Sequence, residues 1–325
     1  MRDNSLDFWK SKSVLVTGAA GFIGSHLTEK LVQSGARVRA FIRYNSMNSY
    51  GLIEVIPEDT RRKIEICTGD ILDGSSIRVA MEGIEVVFHM AALPSIPYSF
   101  RNPRHVFMVN TEGTTNVLLA AKAAGAQRII LASSAGASEQ RPLASPYVTS
   151  KAAMERIGMG FFQGLNASVT TVRLFNNYGP RQSARAVIPT IISQALVKDD
   201  VHLGATEPKM DFNYVDDSLR AFLHAAMRED TAGEILTWGT GIFTSIGDVA
   251  ALVFSLIGRT GLHIVRDEKR VRPYSKKFST LEDEVLRTRD LLKIAPQVNL
   301  REGLQKTIDW ISGNAGFYKT DLYAI

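Results

Sequence analysis

The chain has 325 residues, 45% of them hydrophobic and 22% charged, which allows a sizeable buried core and excludes disorder over most of its length. Its net charge of +5 is spread thinly over 38 basic and 33 acidic residues, and the densest basic runs, Arg61-Arg62-Lys63 and Lys269-Arg270-Val271-Arg272, are short and lack interleaved aromatics. No nucleic-acid partner is therefore expected, and a small anionic ligand such as a diphosphate is. The single cysteine, Cys67, excludes an intrachain disulfide and a cysteine metal cluster, and no metal is expected. The polar residues 1–12 do not read as a signal peptide and no apolar run reaches the length of a membrane span, so the expectation is a cytoplasmic protein without a membrane partner.

In chain order, strands are expected over 14–17, 38–42, 64–67, 86–89, 128–132 and 168–174, with helices over 23–34, 76–81, 114–124 and 146–162. The strands are continuous apolar runs rather than strict alternations, as in a parallel sheet covered on both faces. The second half is less regular. It reads as a loop running into a helix over 181–197, a short strand over 201–203, and helices over 216–227, 246–258 and 300–312, with no evident structure beyond Gly313. The expected fold class is α/β: a doubly wound parallel sheet from 1–175 plus about 212–240, a smaller mixed lobe from 176–211 and 241–312, and a tail over 313–325.

Gly18-Ala-Ala-Gly21-Phe22-Ile23-Gly24 follows the first strand and opens the first helix. Gly18 permits a tight turn, Gly21 lets the backbone approach a pyrophosphate, and Gly24 lets helix and strand pack closely. The N–H groups at the helix start, at Phe22 and Ile23, then face the phosphates. A purely structural turn is the alternative; the strand–loop–helix context favours the phosphate site. The second strand ends Phe41-Ile42-Arg43-Tyr44-Asn45-Ser46. Arg43 stands where an acid would grip the ribose hydroxyls of NAD, and a guanidinium there suits a 2′-phosphate, which tips the expected NAD(P) cofactor toward NADP. The alternative is an exposed arginine at a strand end.

Tyr147 and Lys151 are four residues apart just after Pro146, a spacing that puts them on one face of a helix starting there. A tyrosine with an ordinary pKa near ~10 is a poor base, and a neighbouring ammonium favours its phenolate. Ser134, ending the fifth strand, is the expected third member, with its hydroxyl on the reacting oxygen; Ser133 is the fallback. A serine there is otherwise a turn residue.

The glycine loop, Asp70-Ile71, His89-Met-Ala91-Ala92, Asn110 and Tyr147-x-x-x-Lys151 together resemble the extended branch of the short-chain dehydrogenase/reductase superfamily, from Ser13 to about Trp310. The resemblance implies a Rossmann-type sheet, Asp70 and Ile71 at the adenine, and Ala91, Ala92 and Asn110 along the cofactor. It also implies a nucleotide-diphosphate sugar as substrate and a homodimer paired through helices beginning near Arg104 and Pro146. Two segments, Arg43-Tyr-Asn-Ser-Met-Asn-Ser-Tyr-Gly51 and residues 175–192, resemble nucleotide-sugar 4,6-dehydratases of the legionaminic acid type. The family resemblance implies that Asn176 and Arg272 bind the sugar diphosphate and that Arg181 and Arg185 line the substrate pocket. The chain departs from the pattern where elimination needs an acid and a base: Ser134 is followed by Ala135-Gly136-Ala137, and nearby Glu139 reads as a solvated loop charge. Met210 replaces an expected arginine, beside Lys209. The expected function is transient oxidation of the sugar at C4 with an epimerase-like outcome. The alternatives are 4,6-dehydration and a non-catalytic NAD(P)-binding regulator.

Overall fold

The computed structural model describes residues 5–142, 144–271 and 280–320. The described strands are β1 Ser13–Thr17, β2 Arg37–Arg43, β3 Ile64–Gly69, β4 Val86–His89, β5 Arg128–Ser134, β6 Val169–Leu174, β7 Asn176–Tyr178, β8 Asp200–Leu203, β9 Lys209–Tyr214, β10 Ile235–Trp238, β11 Phe243–Ser245 and β12 His263–Arg266.

Seven of them form one sheet in the order β10-β6-β5-β4-β1-β2-β3, with every neighbouring pair parallel. Apolar side chains are buried on both faces. Val14 and Val16 of β1 join one cluster, and Leu15 between them joins the other with Val87, Ile129 and Leu131. That two-sided burial explains the unbroken apolar runs and makes this the expected Rossmann-type doubly wound sheet. The sequence order reverses between β1 and β4, so their carboxyl ends flank the crevice where such sheets bind ligands.

Outside this sheet, β7 and β11 flank β9, parallel and antiparallel to it respectively, and β8 pairs with β12. Several elements were not located by the sequence reading, the strands β7, β9, β10, β11 and β12 among them. The four residues of β10 return the chain to the large sheet beside β6. A helix over Glu282–Leu292 was not anticipated; it starts after Leu281, whose φ is +57°. Over residues 314–320 the chain packs back on itself: Phe317 and Tyr318 lie against Trp310, and the Tyr318 hydroxyl donates to the Gln182 carbonyl at 3.1 Å. Among the described residues no helix is long and apolar enough to cross a membrane.

Candidate active site

The chain leaves β1 at Gly18 with φ +69°, and a Cβ there would come within 2.6 Å of the Ala91 nitrogen beyond β4. Only glycine satisfies both the left-handed turn and that approach. A Cβ on Gly24 would overlap the Gly18 carbonyl. The helix Phe22–Gln33 begins at Gly21 with no side chain capping it. Its first N–H groups, those of Phe22, Ile23 and Gly24, have no partner within the helix and lie at the sheet's switch point, where free donors suit an anion. These residues fit a dinucleotide pyrophosphate.

Arg43 ends β2 and is exposed, as are Asn45 and Ser46. The Asn45 side chain closes its own loop: Nδ2 donates to the Ser49 carbonyl at 2.8 Å and Oδ1 accepts from Met47 N–H at 3.0 Å. Gly51 and Leu52 then hook this loop onto Ala20 of the glycine loop. Asp70 caps the turn after β3 by accepting from Leu72 N–H at 2.9 Å. Ile71 is buried against Gly113, where a Cβ would lie 2.5 Å from its Cδ1. Ala91 and Ala92 are half-buried at the crevice. Asn110 sits on a π-helical turn, Met108–Glu112, a distortion common at functional sites. Its side chain is spent inside the protein, accepting from Leu93 N–H at 2.8 Å and donating to the Ser150 hydroxyl at 2.8 Å.

The strand alternation of β5 sends its last two serines to opposite sides. Ser133 donates to Glu155 Oε1 at 2.6 Å, whereas the Ser134 hydroxyl accepts from Gly136 N–H at 3.2 Å and acts on the Tyr147 phenol, lowering its pKa. The helix Pro146–Leu165 starts on a Ser145 cap, whose hydroxyl accepts from Val148 N–H at 3.2 Å, with Pro146 in the first turn. Tyr147, Lys151 and Glu155 follow at four-residue intervals along one face. The Lys151 ammonium donates to the Ala132 carbonyl at 2.8 Å rather than to the phenol. Burial lowers Lys151 to about 8, opposed by the Glu155 carboxylate. Burial pushes the Tyr147 phenol up to about 12, and the Ser134 hydrogen bond pulls it back. The phenol thus needs added positive charge nearby to become a base, the role the sequence assigns to Lys151 together with the oxidised nicotinamide.

On the substrate side, Asn176 opens β7 with an exposed side chain and donates to the Asp211 carbonyl at 3.2 Å. Arg181, at φ +67°, is turned toward the cofactor-side helix and pairs with Glu29 at 2.5 Å; its side chain is 9% exposed. Arg185 is exposed, and Arg272 lies outside the described residues. Met210 is half-buried and Lys209 exposed, while Glu139 is exposed and paired with Arg156.

Sequence reading missed a second set of charges around Ser133. Arg173 of β6 grips Glu155 through two nitrogens, at 2.9 and 2.7 Å, and reaches Glu284 at 3.2 Å. Glu284 comes from the helix Glu282–Leu292 and also accepts from Ser138 at 2.8 Å, Gln140 at 3.2 Å and Thr237 at 2.5 Å. The Arg141 guanidinium lies 4.9 Å from the centre of the Phe175 ring. The four-residue step from Lys151 was the available signal for Glu155; Glu284, 146 residues beyond Ser138, had none. A concavity of about 350 Å³ beside Phe162 and Ala167 opens at the far end of the Tyr147 helix and is remote from these groups.

Residues 14–239 match the NAD dependent epimerase/dehydratase family. The UDP-N-acetyl-alpha-D-glucosaminuronate decarboxylase of Bacillus cytotoxicus is 31% identical, with 92% of this chain and 97% of that protein covered. The UDP-glucose 4-epimerase of Mycolicibacterium smegmatis is also 31% identical, over 91% of this chain and 97% of its own length. Among solved structures, MoeE5 in complex with UDP-glucose and NAD is 29% identical with a TM-score of 0.79, covering 93% of this chain and all but 1% of its own, 99%. With the glycine cradle at the switch point and the Ser134–Tyr147–Lys151 cluster beside it, the chain belongs to the NAD dependent epimerase/dehydratase family of extended short-chain dehydrogenases/reductases.

Proposed function

We propose that the protein oxidises the C4 hydroxyl of a nucleotide-diphosphate sugar transiently and returns the hydride to the other face, an epimerase-like outcome. The observation that carries this reading is the Ser134–Tyr147 hydroxyl pair, one helical turn from Lys151, with no carboxylate arising from the turn Ala135–Ala137 that follows. When bound, NAD(P) takes up and gives back hydride at the sugar carbon. Tyr147 accepts the hydroxyl proton, Ser134 holds that oxygen, and the Lys151 cation favours the phenolate. Glu284, the carboxylate tied to the 138–140 loop, accepts from four side chains and is held as a structural anion rather than as a free base.

Residues 1–175 and about 212–240 form the cofactor-binding part, and 176–211 with 241–312 the sugar-binding lobe, with Asn176 and Arg272 serving the diphosphate, Arg185 lining the pocket and Arg181, paired with Glu29, behind it. Asp70, Ile71, Ala91 and Ala92 line the dinucleotide, with Asn45, Ser46 and Asn110 shaping its surroundings. Arg43, exposed at the end of β2, admits NADP where a carboxylate would repel it. A homodimer, suggested by the resemblance, completes the proposal and is checked by sedimentation.

Purified protein incubated with NAD(P) and UDP-, dTDP-, GDP- and CDP-sugars tests the reaction. An isomer of unchanged mass is the expected product. Loss of one water would establish dehydration instead, an activity carried by the 28% identical dTDP-D-glucose 4,6-dehydratase of Mus musculus. Tight cofactor binding without turnover of any sugar would point to a regulator.

A further inference from the structure

His89, the last residue of β4, is buried between two threonine hydroxyls: Nδ1 lies 2.8 Å from Thr17 Oγ1 and Nε2 lies 3.0 Å from Thr114 Oγ1. The neighbours settle which nitrogen carries the proton. Thr114 donates its only hydroxyl proton to the Asn110 carbonyl at 2.7 Å, so toward His89 it acts as acceptor and Nε2–H donates. Nδ1 is then bare and accepts from the Thr17 hydroxyl. The Thr17 oxygen in turn accepts Ala91 N–H at 3.3 Å. Beyond Asn110, its amide donates to the Ser150 hydroxyl at 2.8 Å, and Ser150 donates to the Tyr147 carbonyl at 2.7 Å. A buried series of donors thus runs from Ala91, at the crevice, through β1, β4 and the π-helical turn to the residue bearing the phenol.

We propose that His89 is a positioning residue: held as the neutral Nε2–H tautomer, it fixes the Ala91 segment and the Asn110 turn relative to one another and thereby sets the cofactor cradle in register with Tyr147. The imidazole is the one ring in this chain of groups, and it exchanges its donor and acceptor sides by moving a proton between its two nitrogens. A proton on Nδ1 would leave the Thr17 hydroxyl proton without its acceptor, and the neutral Nδ1–H tautomer would also set a bare Nε2 against the Thr114 oxygen, whose proton is given to Asn110; a second proton on the ring is the remaining alternative. Burial and the nearby Lys151 cation both act against that protonation. The inference rests on the reading of Tyr147 given above only for its catalytic consequence; the tautomer and the cradle geometry stand apart from it.

The test uses the full-length protein labelled with 15N-histidine, with His89 assigned by its missing signals in His89→Gln. Neutral Nε2–H shifts, unchanged from roughly pH 5 to 8, are expected. An Nδ1–H tautomer, or titration within that range, overturns the proposal without any variant having to work. His89→Phe keeps a ring but neither polar nitrogen. It is expected to weaken NAD(P) binding and to lower kcat by about a hundredfold, as misplacement of reacting groups does, while leaving the sugar KM unchanged. His89→Gln, with one amide donor and one carbonyl acceptor, should recover most of that loss. A folded Phe variant with wild-type cofactor affinity and kcat, or a folded Gln variant no better than Phe, overturns the proposal. Cofactor affinity and the spectra require no turnover, so they still report if Tyr147 proves not to be the proton acceptor.

Discussion

The Ser134 hydroxyl at the end of β5 acts on the Tyr147 phenol and lowers its pKa, from beside the first turn of the helix that also bears Lys151. Tyr147→Phe keeps the ring and deletes the proposed proton acceptor. Turnover is expected to fall by about 10²–10⁴-fold, the usual scale of general acid–base catalysis, with cofactor affinity nearly unchanged. Steady-state rates and a fluorescence titration with NAD(P) check this, and wild-type turnover in the variant would refute the assignment.

The opposed directions of Ser133 and Ser134 predict opposed phenotypes. Ser134→Ala removes a donor to the reacting oxygen and should lower kcat by about a hundredfold with little change in stability. Ser133→Ala takes one hydrogen bond from the buried Glu155 carboxylate, which Arg173 still neutralises. It should cost about 1–3 kcal/mol of stability, the range for hydrogen bonds to charged groups, with a smaller effect on rate. Denaturant unfolding beside kcat separates the two, and identical phenotypes would contradict the geometry.

The parts of this site legible in sequence are those fixed by local backbone demands. Gly18 and Gly24 were legible because a left-handed turn and a close helix–strand approach admit no side chain, and Tyr147 with Lys151 because one helical turn aligns them. Arg181 was not, because its pairing with Glu29 depends on a loop folding back 152 residues onto the first helix. Glu284 was hidden by a similar separation. Asn45 and Asn110 were recognised as residues of the cofactor region, but their side chains turned out to be spent on a loop and on a helix contact, which residue type and position do not distinguish. The short strand β10 was expected only as an unspecified return of the chain to the sheet, since four residues carry too little periodicity to locate it.

Arg43 provides a direct test of cofactor choice. In Arg43→Asp a carboxylate replaces the exposed guanidinium at the end of β2, where it can accept from ribose hydroxyls but faces a 2′-phosphate with like charge. NADP affinity should drop by at least about tenfold, like-charge contact being worth kcal/mol, while NAD affinity holds or rises. Parallel titrations with both dinucleotides check it. An unchanged NAD-to-NADP ratio would remove Arg43 from the specificity argument.

Burial also gives the protein a defined sensitivity to acid. His89 is held down to about 3 against an ordinary 6.5, first by burial and then by the Lys151 cation, and His26 is held down to about 4 by burial and Arg181. A base whose folded pKa lies below its unfolded value binds fewer protons in the native state between the two. Its contribution is therefore intact above the unfolded value and is lost as pH falls through the window toward the folded one. At ~1.4 kcal/mol per pH unit, His89 accounts for a loss on the order of 3 kcal/mol between roughly pH 6.5 and 4, and His26 adds to it in the same direction. Carboxylates titrate in the same range, so the slope of the wild-type protein alone does not isolate the imidazole. The difference between wild type and His89→Gln does, because glutamine takes up no proton: urea unfolding at several pH values should give a shallower acid slope in the variant, and equal slopes would mean that His89 is not the neutral, buried group the hydrogen bonds describe.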